Sequence, residues 1–221
     1  MGKSEHPGTI AIDGPVASGK SAAGRLVAAS IGYRFVDTGL MYRGVTLLAL
    51  ERAIELHDEA ALSALAGSIT MTFDGDRLLI DGVDVTDRLR TAEVGEAVSL
   101  ASRVPGMREA MVARQRELAR QGSIVMAGRD IGTVVLPDAP LKVYLDASAD
   151  ERARRRHAEL ASLGRDETLE HVRDELALRD GIDSGRDASP LRPAGDAVVI
   201  DTDHLSLDEV VTRILELAAC R

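Results

Sequence analysis

Short apolar runs alternate along the chain with longer stretches whose apolar positions recur every three or four residues. Thr9–Asp13 (Thr-Ile-Ala-Ile-Asp) is such a run, ends in a Gly-Pro turn, and predicts a buried strand. Lys20–Ser30, Ala-rich with Leu26 and Val27, predicts the helix that follows. Arg34–Asp37 predicts a second strand and Gly39–Ala53 another helix. Ile124–Ala127, Leu141–Asp146 and Ala197–Asp201 supply three more strands. Helices are predicted at Pro105–Arg120, Ser148–Ser162, Asp166–Arg179 and Ser206–Ala219. Pro105 suits a first helical turn, and Ser206 with Glu209 three residues later fits a capping box. Strands alternating with helices indicate an α/β fold around a five-stranded, mainly parallel sheet.

One stretch breaks the alternation. Ile69–Phe73, Arg77–Ile80 and Asp84–Thr86 are short β-like runs separated by Asp74-Gly75 and Asp81-Gly82, dipeptides suited to tight hairpins. They predict a small antiparallel meander, a subdomain at roughly 62–92 inserted between helices.

Composition narrows the picture. The chain has 221 residues, about one domain with insertions, and 45% of them are hydrophobic, enough to bury a sizeable core. Aromatic residues make up only 2%, so stacking platforms for single-stranded nucleic acid are not expected. A net charge of −9 argues against nucleic-acid and anionic-membrane partners. Cys220 is the single cysteine, which excludes an internal disulfide, and the His residues show no zinc-ligand spacing. The polar Met1–Gly8 lacks an apolar signal core, and no apolar run is long enough to span a membrane; the expectation is a cytoplasmic protein.

Gly14-Pro15-Val16-Ala17-Ser18-Gly19-Lys20-Ser21 matches the phosphate-binding pattern of Gly, four residues, and Gly-Lys-Ser/Thr, between a predicted strand and a predicted helix. Glycines let successive N–H groups wrap around phosphate oxygens, and the positive end of the following helix reinforces the attraction. Lys20 is expected to reach the β- and γ-phosphates and Ser21 to ligate Mg²⁺. This motif identifies a nucleoside triphosphate donor and leaves the acceptor open.

The cations bear on the acceptor. Lys occurs only at Lys3, Lys20 and Lys142; every other cationic chain is Arg, whose planar fork suits bidentate phosphate contacts. Arg43 follows the second strand, Arg129 and Asp130 follow the third, and Arg179 and Arg186 bracket an acidic, Gly-containing loop. Arg152, Arg154, Arg155 and Arg156 crowd the helix after the fourth strand. A hydroxyl acceptor benefits from a carboxylate base, whereas a phosphate acceptor is already ionised and needs cations to offset anionic repulsion. The set of arginines points to an anionic acceptor. Asp37 or Thr38 could equally serve as a helix cap, and the Arg152–Arg156 group as a solvated face.

These pieces together resemble the bacterial cytidylate kinases over Ile10 to Thr202. The matching segments are Gly14–Ser21, Asp37-Thr38-Gly39 with Tyr42-Arg43, and Arg90-Thr91-Ala92-Glu93-Val94. They continue with Arg108-Glu109-Ala110, Arg114-Gln115-Arg116 and Gly128–Val135, then Pro137-Asp138-Ala139 and Arg179…Asp183…Arg186 with Pro190-Leu191. The resemblance implies a P-loop three-layer fold with a monophosphate-binding insert and a helical lid, and reversible Mg²⁺-dependent transfer from ATP to CMP or dCMP. It implies a core at roughly 9–61, 93–150 and 190–221, with the lid at roughly 151–189. Thr38, Tyr42, Arg43, Arg129, Arg179 and Arg186 resemble acceptor-site residues; Ser99, Arg108 and Asp130 fall where cytosine is recognised, and Asp183 suits a ribose hydroxyl. Lys20, Arg129, Arg179 and Arg186 are the implied catalytic groups, with Gly14–Ala22, Arg152 and Arg156 on the ATP side. Two positions depart from the pattern: Ala127 stands where an acidic residue often occurs, and Ile182 where an Arg can occur. The chain is expected to act as a monomer on small nucleotides. A kinase of another small metabolite and a non-catalytic nucleotide-binding regulator are the alternatives, although no Asn-Lys-x-Asp guanine-reading element is present.

Overall fold

The computed structural model describes residues 8–186 and 189–220; the polar segment before Gly8 lies outside them. Strand β1 (Thr9–Asp13) runs into the loop that precedes α1 (Lys20–Ile31), followed by β2 (Arg34–Asp37) and α2 (Thr38–Glu51). Helix α3 (Glu59–Ser68) leads to β3 (Met71–Asp74), β4 (Arg77–Ile80), β5 (Val83–Asp84) and a 3-10 turn at Thr86–Arg90. Then come α4 (Ala92–Ala101), α5 (Pro105–Arg120), β6 (Ile124–Gly128) and one π-helical turn at Ile131–Val135. The chain continues with β7 (Leu141–Asp146), α6 (Ala149–Ser162), α7 (Leu169–Ser184), β8 (Val198–Asp201) and α8 (Leu207–Ala219).

The main sheet is parallel throughout, in the order β2-β6-β1-β7-β8. Its inner strands are buried on both faces, and successive side chains point to opposite layers. Ala11 of β1 with Ile124 and Met126 of β6 enters the core shared with α2 to α5. Ile10, Ile12 and Val125 enter the core formed with α1 and α8. A three-layer arrangement follows directly from this alternation.

The second sheet, β3-β4-β5, is the antiparallel meander. Asp81 and Gly82 both take positive φ, 51° and 81°, as a two-residue type I′ turn requires. Its apolar face (Met71, Leu78, Ile80, Val85) joins the core of α2. The approach is close: a Cβ on Gly44 would stand 2.7 Å from Ile80 Cδ1. A third, small apolar cluster joins Ala153 and Leu160 of α6 to Val172 and Leu176 of α7, with Val16 of the phosphate loop packed against it.

Several boundaries differ from expectation. Helices α3 and α4 were not anticipated, and the insert drawn from 62 begins inside α3. Helix α7 starts three residues later than predicted and runs on to Ser184, so Arg179 stands in a helix and not at the mouth of a loop. Thr168, whose hydroxyl accepts from His171 N, places that start; apolar contacts with α6 involve Val172 and Leu176, and on either side of Gly181 Asp180 pairs with Arg152 and Asp183 with Arg129. The capping box at Ser206 and Glu209 is formed.

Candidate active site

The carboxyl ends of parallel strands, on either side of the first strand, are where such sheets bind ligands. Here β1 ends in the phosphate loop, with β6 and β7 beside it. Gly14 takes φ 153°, and a Cβ there would come within 2.2 Å of Leu145 O, so the loop can leave β1 only at a glycine. Ala17 is held at φ 60°, a conformation rarely adopted outside glycine and often found at functional sites. Val16, Ala17, Lys20 and Ser21 line the cavity beside the loop; Gly14, Pro15, Ser18 and Gly19 build the turn beneath, and Ala22 continues α1. The buried Ser18 Oγ has no hydrogen-bond partner.

Lys20 Nζ donates to Pro15 O at 2.7 Å. Burial, then the adjacent Arg129 guanidinium, holds Lys20 well below the usual lysine range, against the pull of Asp37 and Asp183. Ser21 Oγ donates to Asp37 Oδ2 at 2.7 Å, while Asp37 Oδ1 accepts from Gly39 N at 2.9 Å. One carboxylate thus caps α2 and faces the loop serine. The sequence marks Asp37 as a possible cap and as part of the Asp37-Thr38-Gly39 segment; the bond of its second oxygen to Ser21 emerges from the fold.

Every residue expected on the acceptor side lies on the wall of this one cavity: Thr38, Tyr42, Arg43, Ser99, Arg108, Arg129, Asp130, Arg179, Asp183 and Arg186. Thr38 Oγ1 donates to Ala127 O at 2.9 Å, and Ala127 itself is fully buried. Arg108 lies over the Tyr42 ring at 5.3 Å and donates to Asp130 Oδ2 at 2.5 Å and to Ser102 O at 3.2 Å. Arg108 and Asp130 are both buried, so neither charge could be kept there without the other. Burial pushes the Tyr42 hydroxyl up to about 12.

Asp183 Oδ2 accepts from Arg129 Nε at 2.8 Å, and Oδ1 pairs with Arg186. Burial would raise the Asp183 carboxyl, but the two guanidiniums outweigh it and hold it below the ordinary range. Arg43 donates to Leu89 O at 3.1 Å; burial, then the neighbouring Arg179 and Arg156, pulls it down to about 10. Burial, then Arg129, lowers Arg179, whose Nε is buried without a hydrogen-bond partner. Cations therefore destabilise one another in this cavity, and an anionic ligand would relieve that repulsion.

Two residues expected on the ATP side part company. Arg156 lines the cavity, close enough to feel Arg43, and pairs with Glu159 at 2.8 Å. Arg152 does not line it. Its guanidinium is buried and donates to Asp180 Oδ2 at 2.7 Å, to Ala147 O at 3.1 Å and to Val16 O of the phosphate loop at 3.4 Å. Arg90, Leu163 and Arg165 line the cavity without having been singled out from the sequence as site residues. Ile182 sits in the last turn of α7 and is not on the cavity wall.

The oxygens of Ser21 and Asp37 are hard donors that suit Mg²⁺. That ion keeps water and phosphate ligands and needs few from the protein. No group of three or more His, Cys, Asp or Glu among the described residues could hold a metal. Nor is any described helix long and apolar enough to cross a membrane.

Comparison with known proteins places these features in context. Residues 10–220 match the family model described as cytidylate kinase. The cytidylate kinase of Geobacillus sp. (strain WCH70) is 48% identical over 212 residues, covering 94% of this chain and 95% of that protein. The cytidylate kinase of Geobacillus thermodenitrificans (strain NG80-2) is 49% identical over the same length, with the same coverage. Among solved structures, shikimate kinase from Acinetobacter baumannii in complex with shikimate overlays with a TM-score of 0.51 at 18% identity. It covers 96% of this chain and 93% of that one. That likeness speaks to the fold.

Proposed function

Because the chain belongs to the cytidylate kinase family, we propose that the cavity between the phosphate loop and the insert joins ATP to CMP or dCMP. The reaction is Mg²⁺-dependent, reversible phosphoryl transfer yielding ADP and CDP or dCDP. One observation carries the reading. The cavity gathers Lys20, Arg43, Arg129, Arg156, Arg179 and Arg186, while Asp37, Asp130 and Asp183 are each engaged by a partner. An acceptor hydroxyl would need a free base; an acceptor phosphate needs cations.

In this reading the loop amides and Lys20 hold the β- and γ-phosphates. Arg43, Arg129, Arg179 and Arg186 hold the acceptor phosphate and offset the charge that accumulates during transfer. Ser21, with Asp37 beside it, would hold Mg²⁺, which when bound neutralises phosphate charge. Thr38, Tyr42 and Ser99 shape the acceptor pocket. The Arg108-Asp130 pair reads the cytosine edge, whose exocyclic amine is a donor that uracil lacks. Asp183 serves a ribose hydroxyl. The core at roughly 9–61, 93–150 and 190–221, the insert at roughly 62–92 and the lid at roughly 151–189 are taken as its moving parts. Closure of the lid, carrying Arg156, would exclude water from the transferring group. The protein is taken to be a cytoplasmic monomer, in keeping with its charge of −9.

A coupled assay offering ATP and Mg²⁺ with CMP, dCMP, UMP, AMP and shikimate tests the reading. The expected result is turnover with CMP and dCMP far above the rest. Preference for a non-nucleotide hydroxyl, or ATP binding without transfer to any monophosphate, would overturn it.

A further inference from the structure

Asp13 is the last residue of β1, immediately before the phosphate loop, yet it does not line the cavity. Its side chain is almost wholly buried. Oδ1 accepts from Ile131 N at 2.8 Å and Oδ2 from Gly132 N at 2.7 Å. The strand register sets Asp13 opposite Gly128. The chain therefore leaves β6, passes through Arg129 and Asp130, and returns over the end of β1 to meet this carboxylate. The two N–H groups open the π-helical turn, where main-chain donors have no partner within the turn, and an anion suits that positive end.

Holding a carboxylate here is costly. Burial pushes Asp13 up to about 6, against the two amide bonds that draw it down. An apolar side chain would avoid that cost but leave two buried donors unpaired and the turn untied. Gly132 is the matching adaptation: a Cβ there would stand 3.2 Å from Lys142 Cδ and 3.3 Å from Asp13 Oδ2.

Resting on the acceptor-site reading above, we propose that Asp13 is a positioning residue whose carboxylate anchors the Ile131-Gly132 main chain and so sets where Arg129 and Asp130 meet the acceptor. The residue that begins the donor's loop thereby also aligns the acceptor's ligands.

The test uses Asp13→Asn in the full chain, with folding checked by circular dichroism. The amide still accepts one N–H but turns its NH₂ toward the other. KM for CMP at saturating ATP is expected to rise about tenfold, as for a displaced ligand. ATP affinity of the free enzyme, from equilibrium titration, is expected to change by less than about threefold, since the loop itself is intact. The preference for CMP over UMP is expected to narrow. Gly132→Ala presses on the same contact without altering β1; it should shift KM for CMP in the same direction, and it decides the matter if Asp13→Asn does not fold. Unchanged KM for CMP overturns the proposal, as does an equal loss of ATP affinity, which would make Asp13 a support of the phosphate loop only. Asp130→Ala is run beside them. If it raises KM for CMP and Asp13→Asn does not, the positioning role fails and the acceptor site stands. If Asp130→Ala has no effect, the acceptor-site reading fails and the proposal falls with it.

Discussion

Ser21 Oγ and Asp37 Oδ2 lie 2.7 Å apart in a direct hydrogen bond across the foot of the phosphate loop. The pair joins the start of α1 to the start of α2, and both residues line the cavity that the two helices share. For Asp37→Asn, the apparent affinity for Mg²⁺ at fixed ATP is expected to fall roughly 10- to 100-fold, the usual effect of losing an oxygen beside a metal. ATP binding measured without Mg²⁺ should be nearly unchanged. Titrating the rate with Mg²⁺ checks the first, and equilibrium binding in chelator the second.

Arg129 is held by Asp183 on one side and lies beside Lys20 on the other. A folded Arg129→Ala variant is expected to lose about 10²- to 10³-fold in kcat, the scale of one lost transition-state donor. Single-turnover kinetics reads this directly. Near-wild-type turnover would remove Arg129 from the catalytic set.

The Arg108-Asp130 pair makes a prediction about selectivity. Asp130→Asn keeps an acceptor for Arg108 but offers the base a donor in place of a charge. The ratio of kcat/KM for CMP to that for UMP is expected to fall by roughly 10- to 100-fold, corresponding to ~1–3 kcal/mol for one base-edge contact. Parallel assays with the two acceptors measure it.

Asp183 links stability to pH. Its carboxyl titrates lower in the folded protein than in the unfolded chain, so the ionised form stabilises the fold. That contribution is fully present above the ordinary carboxylate range and is lost as pH falls through the folded value. The Tm difference between wild type and Asp183→Asn should therefore be largest near neutral pH and shrink below about pH 4. Calorimetry over that range checks the sign.

Arg152 should behave as an anchor of the helical lid. With its guanidinium on Asp180, Ala147 O and Val16 O, Arg152→Met leaves Asp180 without its cation. A loss of ~1–3 kcal/mol in stability is expected, with the affinity for ATP little altered. Thermal melts and nucleotide titration separate the two effects.

Much of this was legible in residues alone. Strands β1, β2, β4 and β7 and helix α5 begin and end where apolar period and caps predicted. The meander was readable from its Asp-Gly turns, because such dipeptides relieve the left-handed backbone of tight hairpins. Helix α4 was not, because Gly95 interrupts its propensity, and contacts with α2, α7 and the 3-10 turn support it instead. The full length of α7 was hidden for a similar reason: Asp180 and Asp183, on either side of Gly181, pair with Arg152 and Arg129 from distant segments.

The site divides along the same line. Residues alone point to a triphosphate donor, since the spacing from Gly14 to Ser21 is a contiguous motif read within one turn of chain. They also show which residue types could meet an anionic acceptor. How those charges are spent depends on the folded chain: Arg152 is committed to Asp180, Asp37 serves both a cap and Ser21, and Asp13 ties the turn after Arg129 and Asp130 to β1. Those pairings join residues from 16 to 119 positions apart, and burial, which no single segment can reveal, leaves Asp13 and the Arg152 guanidinium dependent on the partners they have.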